Sequence, residues 1–204
     1  MNAITHATLP TVPGTPFAGG FYAGRFLLDG AEYALIVAPK AAGAHEPTVW
    51  GRYGQDIADA RSYNDGRANT EAMAAADCPL AQWALTLELN GHADWYIPSR
   101  DELELCYRNL KPTKEENWCS FRDGDNPSSL PPGFPYTEAS PAQATDPAFQ
   151  DEGTEAFQAE SYWSSTPYSP DTAWIQDFVD GSQYTGHKGL ARRAVAVRRF
   201  KVTP

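Results

Sequence analysis

Trp95-Tyr-Ile-Pro-Ser-Arg-Asp-Glu-Leu103 contains a helix start that can be read from spacing alone. Ser99 precedes Glu102 by three residues. In this capping-box arrangement the serine oxygen accepts a free amide at the helix start and the glutamate reaches back to the serine's own amide. The spacing predicts a helix over about 99–110, with Leu103, Tyr107 and Leu110 as its buried stripe and Cys106 beside them.

Upstream, Ala81-Gln-Trp-Ala-Leu-Thr-Leu-Glu-Leu89 places apolar residues at 81, 84, 85 and 89, a helical period. Asn90-Gly91 reads as its stop, since glycine tolerates the left-handed position past a helix end. Asn69 opens a helical composition, but Pro79 suits a helix start better than an interior, so residues 69–77 read as a separate turn. Phe21–Leu28 and Ala31–Ala38 flank Asp29-Gly30, which predicts an N-terminal β-hairpin. Residues 39–68 read as mostly loop, with Thr48-Val-Trp-Gly51 as a short strand. The Pro- and Gly-rich residues 1–20 read as an extended arm, either a frayed terminus or a segment docking on a neighbouring subunit, ahead of one domain over 21–204.

Downstream, about 111–160 is dense in Pro, Gly, Ser and Asp and has no sustained period, which predicts a long loop insertion that is functional or holds short elements. Its aromatic residues Trp118, Phe121, Phe134, Tyr136, Phe149 and Phe157 are expected to anchor it. Strands follow at Ser161–Thr166, Ala173–Val179, Gln183–His187 and Ala194–Phe200, with Asp180-Gly181 as a hairpin turn. The fold class expected is α+β: an N-terminal β-hairpin, two helices, a long loop region and a C-terminal antiparallel sheet.

At 204 residues and 42% apolar composition the chain is long enough to bury a sizeable core. A net charge of −10 disfavours nucleic acid as a partner, because such affinity depends on cations that neutralise phosphates. Arg192, Arg193, Arg198 and Arg199 form the one basic cluster, read as strand faces paired with acidic groups. Cys78, Cys106 and Cys119 are too few and too irregular for a disulfide framework and read as buried thiols, although a Cys78–Cys106 or Cys106–Cys119 bridge stays open. The start at Met-Asn-Ala-Ile shows neither basic nor apolar leader features, and no run approaches a membrane span, so cytoplasmic synthesis without membrane insertion is expected.

Trp95, Ile97-Pro98-Ser99, Glu102-Leu103, Tyr162-Trp163-Ser164-Ser165, Ala173-Trp174, Gly181 and Val197-Arg198 together resemble the Lcl C-terminal-like domain family of bacterial collagen-like adhesins and phage or prophage proteins. The resemblance implies a C-type-lectin-like fold in which Trp95 and Trp163 fill the core and Pro98 sets the approach to the second helix. It also implies a non-enzymatic role: a phage tail, fibre or baseplate protein, hence located in the virion, that binds a host-cell receptor (protein or glycan) or a neighbouring structural protein. The alternative is a bacterial surface adhesin or polysaccharide-binding module. Oligomeric state stays open, a homotrimer being the arrangement suggested by analogy with phage attachment proteins.

No catalytic set, metal site or cofactor is expected. His6, His45, His92 and His187 are scattered, and no nucleophile elbow or phosphate loop occurs. The Glu-Pro-Asn and Trp-Asn-Asp sets of calcium-binding lectins are missing, and Asp123-Gly-Asp-Asn126 reads as a polar turn. The candidate ligand surface is Trp118, Asn126, Tyr136, Tyr168, Asp171, Trp174, Gln183, Tyr184 and His187, because rings supply contact area at low entropy cost and adjacent polar groups fix orientation.

Overall fold

Chain order runs β1 (Ile4–Thr5), β2 (Pro16–Phe17), β3 (Gly20–Leu28), β4 (Ala31–Val37), α1 (Lys40–Gly43), β5 (Ala44–Val49), α2 (Gly66–Ala75), α3 (Pro79–Thr86), α4 (Arg100–Leu110), β6 (Ser129–Leu130), β7 (Ser161–Pro167), β8 (Thr172–Asp177), β9 (Gln183–His187), β10 (Ala191–Val195) and β11 (Val197–Thr203). These elements come from a computed structural model that describes residues 4–120 and 122–203. Met1–Ala3, Phe121 and Pro204 lie outside the described residues, so the expected leader-free start and the Phe121 anchor are not placed.

The architecture is mixed α+β with two sheets. The first has the order β1-β11-β4-β3-β2, with β6 added to β3. The second has the order β5-β10-β7-β8-β9. Asp29 and Gly30 close the β3–β4 hairpin at φ of 50° and 75°, the left-handed values a tight primed turn demands. β1 pairs in parallel with β11, Ile4 opposite Val202, which brings the two ends of the described chain side by side.

The C-terminal run is two strands, not the single strand expected over Ala194–Phe200. The apolar alternation continues through it, but at Ala196 the chain leaves one sheet for the other. Ala196 N donates to Gly43 O at 2.8 Å and its carbonyl accepts from Ala38 N at 3.0 Å. Its hydrogen bonds therefore go to the β4–β5 crossing rather than to a ladder, and spacing alone does not encode that exchange.

The helices follow expectation in part. α2 and α3 are separate, as Pro79 at the start of α3 implied, but the stretch read as a turn over 69–77 is mostly helix, α2, with Asp77 at a positive φ of 59° after it and the Asp65 carboxylate accepting from Ala68 N to cap it. α3 ends at Thr86, so Asn90-Gly91 does not stop it. Instead Leu89 and His92 exchange backbone hydrogen bonds of 2.9 and 3.0 Å around that pair, making it a tight turn. α4 follows its predicted start: Glu102 N donates to Ser99 Oγ and Ser99 N donates to Glu102 Oε2 at 2.8 Å.

Residues 4–20, read from composition as an arm, lie along the first sheet. Gly14 N donates to Tyr22 O at 2.8 Å, and Arg198 Nη1 donates to Ala18 O at 2.7 Å.

Leu103, Tyr107 and Leu110 of α4 pack with Phe26, Leu35, Phe149, Phe157, Tyr162 and Phe178 between the sheets. A second cluster joins α2 and α3 to Trp50, Trp163 and Ile175. The indoles of Trp50, Trp95 and Trp163 are fully buried, and each N–H donates to a carbonyl, those of Ser164, His92 and Thr48. Burial of these rings therefore leaves no unpaired donor. Gly181, at a φ of 81°, abuts the Tyr107 ring so closely that a Cβ there would collide with it.

Among its described residues the region 111–160 holds one two-residue strand and a 3-10 turn at Pro147–Phe149, and it is organised by buried polar hubs. Asn117 Nδ2 donates to the carbonyls of Thr137, Glu138 and Pro141, while its Oδ1 accepts from Tyr107 Oη at 2.7 Å and Lys111 Nζ at 2.8 Å. Glu104 accepts from Asn126 Nδ2, Tyr136 Oη and Arg108. Loop backbone that a compact domain must bury is satisfied through these side chains rather than through ladders.

Candidate functional site

α4 begins beside the end of β7, the central strand of the second sheet, and its first residue builds a cleft there. Arg100 N donates to Thr166 Oγ1 of β7 and Asp101 N donates to Tyr63 O, which ties the helix start to both the sheet and the preceding loop. The Arg100 side chain is buried, with its guanidinium carbon 5.0 Å from the Tyr63 ring and 5.1 Å from the Trp174 ring of β8. Cation–π contacts of this kind contribute about 0.5–2 kcal/mol each and fix the planes involved. Trp174 in turn stands edge-on to Tyr63 and Tyr168, with interplanar angles of 86° and 87°. A cleft of about 100 Å³ opens between them, lined by Tyr63, Arg100, Ser120, Arg122, Asp123, Trp174 and Gln183.

The long loop supplies the opposite wall. Asp123 Oδ1 accepts from Gln183 N at 3.0 Å, locking loop to strand β9. The rim is aromatic and exposed: Tyr63 is 44% exposed and Tyr168 62% exposed. Nearby in sequence on the same loop, Trp118 is 58% and Phe134 75% exposed. Trp118 N donates to Asp180 O, which places that indole beside the β8–β9 turn.

The candidate ligand residues divide into three groups. Trp174 and Gln183 line the cleft, Tyr168 stands on its rim, and Trp118 projects from the long loop. His187 is exposed and stacks on Tyr53 with ring centroids 4.6 Å apart. Tyr184 is part-exposed and its hydroxyl lies 2.8 Å from Ser161 Oγ. Asp171 is half-buried, and its carbonyl accepts from Lys188 N. Asn126 and Tyr136 are elsewhere: both are buried and bonded to Glu104, so they hold the loop onto α4.

Tyr63, Arg100, Ser120, Arg122 and Asp123 were not singled out as ligand residues. Arg100 lay inside the quoted helix-start motif, where a charged residue at the first helical position has an ordinary solvent-facing reading. Tyr63 sits in a stretch without period, and no sequence signal brings it against Trp174.

Burial governs the titration of α4. It pushes the Asp101 carboxyl up to about 6, against the opposing pull of the Arg100 guanidinium 3.2 Å away and of the Ser128 hydroxyl. Burial likewise raises Glu102 and Glu104 above the usual carboxylate range, opposed by their hydrogen bonds and by the nearby Arg199 and Arg108. Glu102 Oε2 accepts from Gly66 N as well as Ser99 N, so one carboxylate joins the starts of α2 and α4.

Three of the four late arginines are ion-paired: Arg193 with Glu46 and Glu160, Arg198 with Asp94, and Arg199 with Asp65, whereas Arg192 has no acidic partner among the described residues and its Nη1 donates to Ala191 O. Cys78 and Cys106 are buried free thiols, whereas Cys119, expected to be buried, is exposed on the long loop. It lies beyond the Asn117 hub, where the chain turns outward with Trp118. Among the described residues no group of three or more His, Cys, Asp or Glu is placed to hold a metal ion. Nor does any helix among them have the length and apolarity to cross a membrane.

A family model described as the Lcl C-terminal domain matches residues 46–198, a span that takes in α2 to α4, the long loop, the cleft and β7 to β10, and ends two residues into β11. No curated protein matches the sequence.

Proposed function

Because this chain belongs to the Lcl C-terminal domain family, we propose that it is a non-enzymatic recognition domain of C-type-lectin-like fold whose ligand seat is the Arg100–Trp174 cleft. The observation that carries this reading is the buried guanidinium held against Tyr63 and Trp174 beside an exposed aromatic rim. Building such a cluster costs the desolvation of a cation and leaves large rings in water. A surface that presents rings on fixed elements with a few polar groups between them suits recognition. The long loop packed over α4, the paired chain ends and the two sheets favour the C-type-lectin-like arrangement.

The family membership points to an adhesin-like surface protein. Within that class the reading proposed is a virion component, in a tail, fibre or baseplate, that binds a host receptor or a neighbouring structural protein. A bacterial surface adhesin or polysaccharide-binding module is the alternative. Mass spectrometry of purified particles and of washed cell surfaces from the producing strain separates them. Recovery of the chain in particles, together with blocking of particle adsorption by added protein, is the expected result. Recovery on cell surfaces alone favours the adhesin, and recovery only in the cytosol overturns both.

A further inference from the structure

Asn90-Gly91 belongs neither to the cleft nor to the core. It is the tip of the tight turn between Leu89 and His92, with Asn90 at a φ of 52° and Gly91 at 77°. Asn90 Nδ2 donates to Gly19 O at 2.9 Å, clasping this turn to the one between β2 and β3. Gly19 sits directly against the His92 ring, so the two turns are in close contact. Gly91 is exposed, open space surrounds its Cα, and its N–H has no hydrogen-bond partner among the described residues.

An asparagine side chain is attacked by the next residue's main-chain nitrogen when that nitrogen is unbonded and unhindered, and glycine hinders it least. We infer that Asn90 is a self-modification site whose conversion releases the clasp on Gly19. Gly91 N bonds to Asn90 Cγ and loses its proton, the Cγ–Nδ2 bond breaks, and ammonia leaves. Water then opens the succinimide, giving aspartate or isoaspartate. The product presents a carboxylate to the Gly19 carbonyl where an N–H had been. Two acceptors facing one another repel, and no donor remains to join them. Arg198 Nη1 on Ala18 O is then the side-chain tether left on that turn.

The remaining described asparagines are protected by their surroundings. Asn64 is followed by Asp65, whose N–H is bound by Ser62 Oγ. Asn69 and Asn109 lie inside α2 and α4, where the next amide is held in the helix ladder. Asn117 is held by five side-chain hydrogen bonds. Asn126 precedes Pro127, which has no N–H to react.

The test is to hold the intact chain at mildly alkaline pH, sample it over time and map its peptides by mass, with isotopically heavy water as a parallel arm. The expected result is a gain of one mass unit and isoaspartate in the Asn90 peptide before any of the five other described asparagines changes, with label from the heavy water incorporated. Gly91→Ala is expected to slow the conversion. Asn90→Asp is expected to speed amide exchange across Pro16–Phe21 while leaving α4 protected. The site is overturned if Asn90 stays intact while a free peptide of the same sequence converts, or if another described asparagine converts first. The clasp is overturned if Asn90→Asp leaves exchange across Pro16–Phe21 unchanged.

Discussion

Asn117 and Trp118 are neighbours with opposite duties, and substituting each separates stability from recognition. Asn117→Ala takes the donor from the buried Pro141 carbonyl and the acceptor from Tyr107 Oη and Lys111 Nζ, while the Thr137 and Glu138 carbonyls keep the backbone donors Ser140 N and Asn117 N, a loss of about 3 kcal/mol. Trp118→Ala removes a ring that is 58% exposed and is expected to shift stability by about 0.5 kcal/mol or less. Urea unfolding of the two variants checks the contrast. None of this was legible in the sequence: Trp118 announced itself as a large aromatic in a loop, while Asn117 looked like any polar loop residue, because its five partners lie in two other stretches, 107–111 and 137–141, that only the fold brings to it. Asn126 and Tyr136 misled in the same way, since an amide and a phenol read as ligand groups until Glu104 is seen to engage both.

Asp101 gives a pH prediction with a defined sign. Its folded-state value near 6 lies above the ordinary carboxylate value, so between about pH 4 and pH 6 the folded chain holds a proton that the unfolded chain has released. Its contribution to stability is therefore largest at low pH and is lost as pH rises through 6, reaching about 3 kcal/mol by linkage. Asp101→Asn removes this dependence. The variant is expected to exceed the parent in stability at neutral pH and to lose that advantage below about pH 4, as read from unfolding midpoints across the range.

At the scale of elements, α4 was the most legible part of the chain, because its start is a local device. Ser99, Glu102 and the Leu103, Tyr107, Leu110 stripe are all set by spacing within one helix. Spacing did not disclose that Glu102 also serves α2 through Gly66 N and holds Tyr96 Oη at 2.7 Å. Ser99→Ala is therefore expected to cost about 1 kcal/mol, the usual value of a cap. Glu102→Ala is expected to cost about 4 kcal/mol, because it strands several buried donors and leaves Arg199 with one fewer carboxylate. Hydrogen exchange distinguishes the two: protection at Gly66 is expected to fall only in Glu102→Ala. The β10–β11 split and the Asn90-Gly91 turn were misread for the complementary reason. Alternation and a glycine turn signal report local conformation, and neither says which sheet, or which neighbouring turn, supplies the hydrogen bonds.

Over the whole molecule, the mixed α+β class, the β3–β4 hairpin and the run β7 to β9 were readable because hairpins and capped helices are short-range features, whereas the two-residue strands β1, β2 and β6 were not. The cleft was half readable. Trp174 and Gln183 belong to late segments with clear strand period and Tyr168 to the short connection between two of them, whereas Tyr63, Arg100 and Arg122 reach the same place only through the packing of α4 and the long loop against the second sheet. Site and scaffold are coupled at Arg100, whose backbone completes the helix start and whose guanidinium fixes the rings.

The central claim is that this cleft is the ligand seat of a non-enzymatic recognition domain. Saccharide and peptide arrays probed with the full chain and with Trp174→Ala test it most directly. The account predicts a discrete set of ligands bound by the parent chain, lost from the variant while its unfolding midpoint moves little, and recovered chemically unchanged. Binding that survives Trp174→Ala, or bound ligands that come off altered, would contradict it.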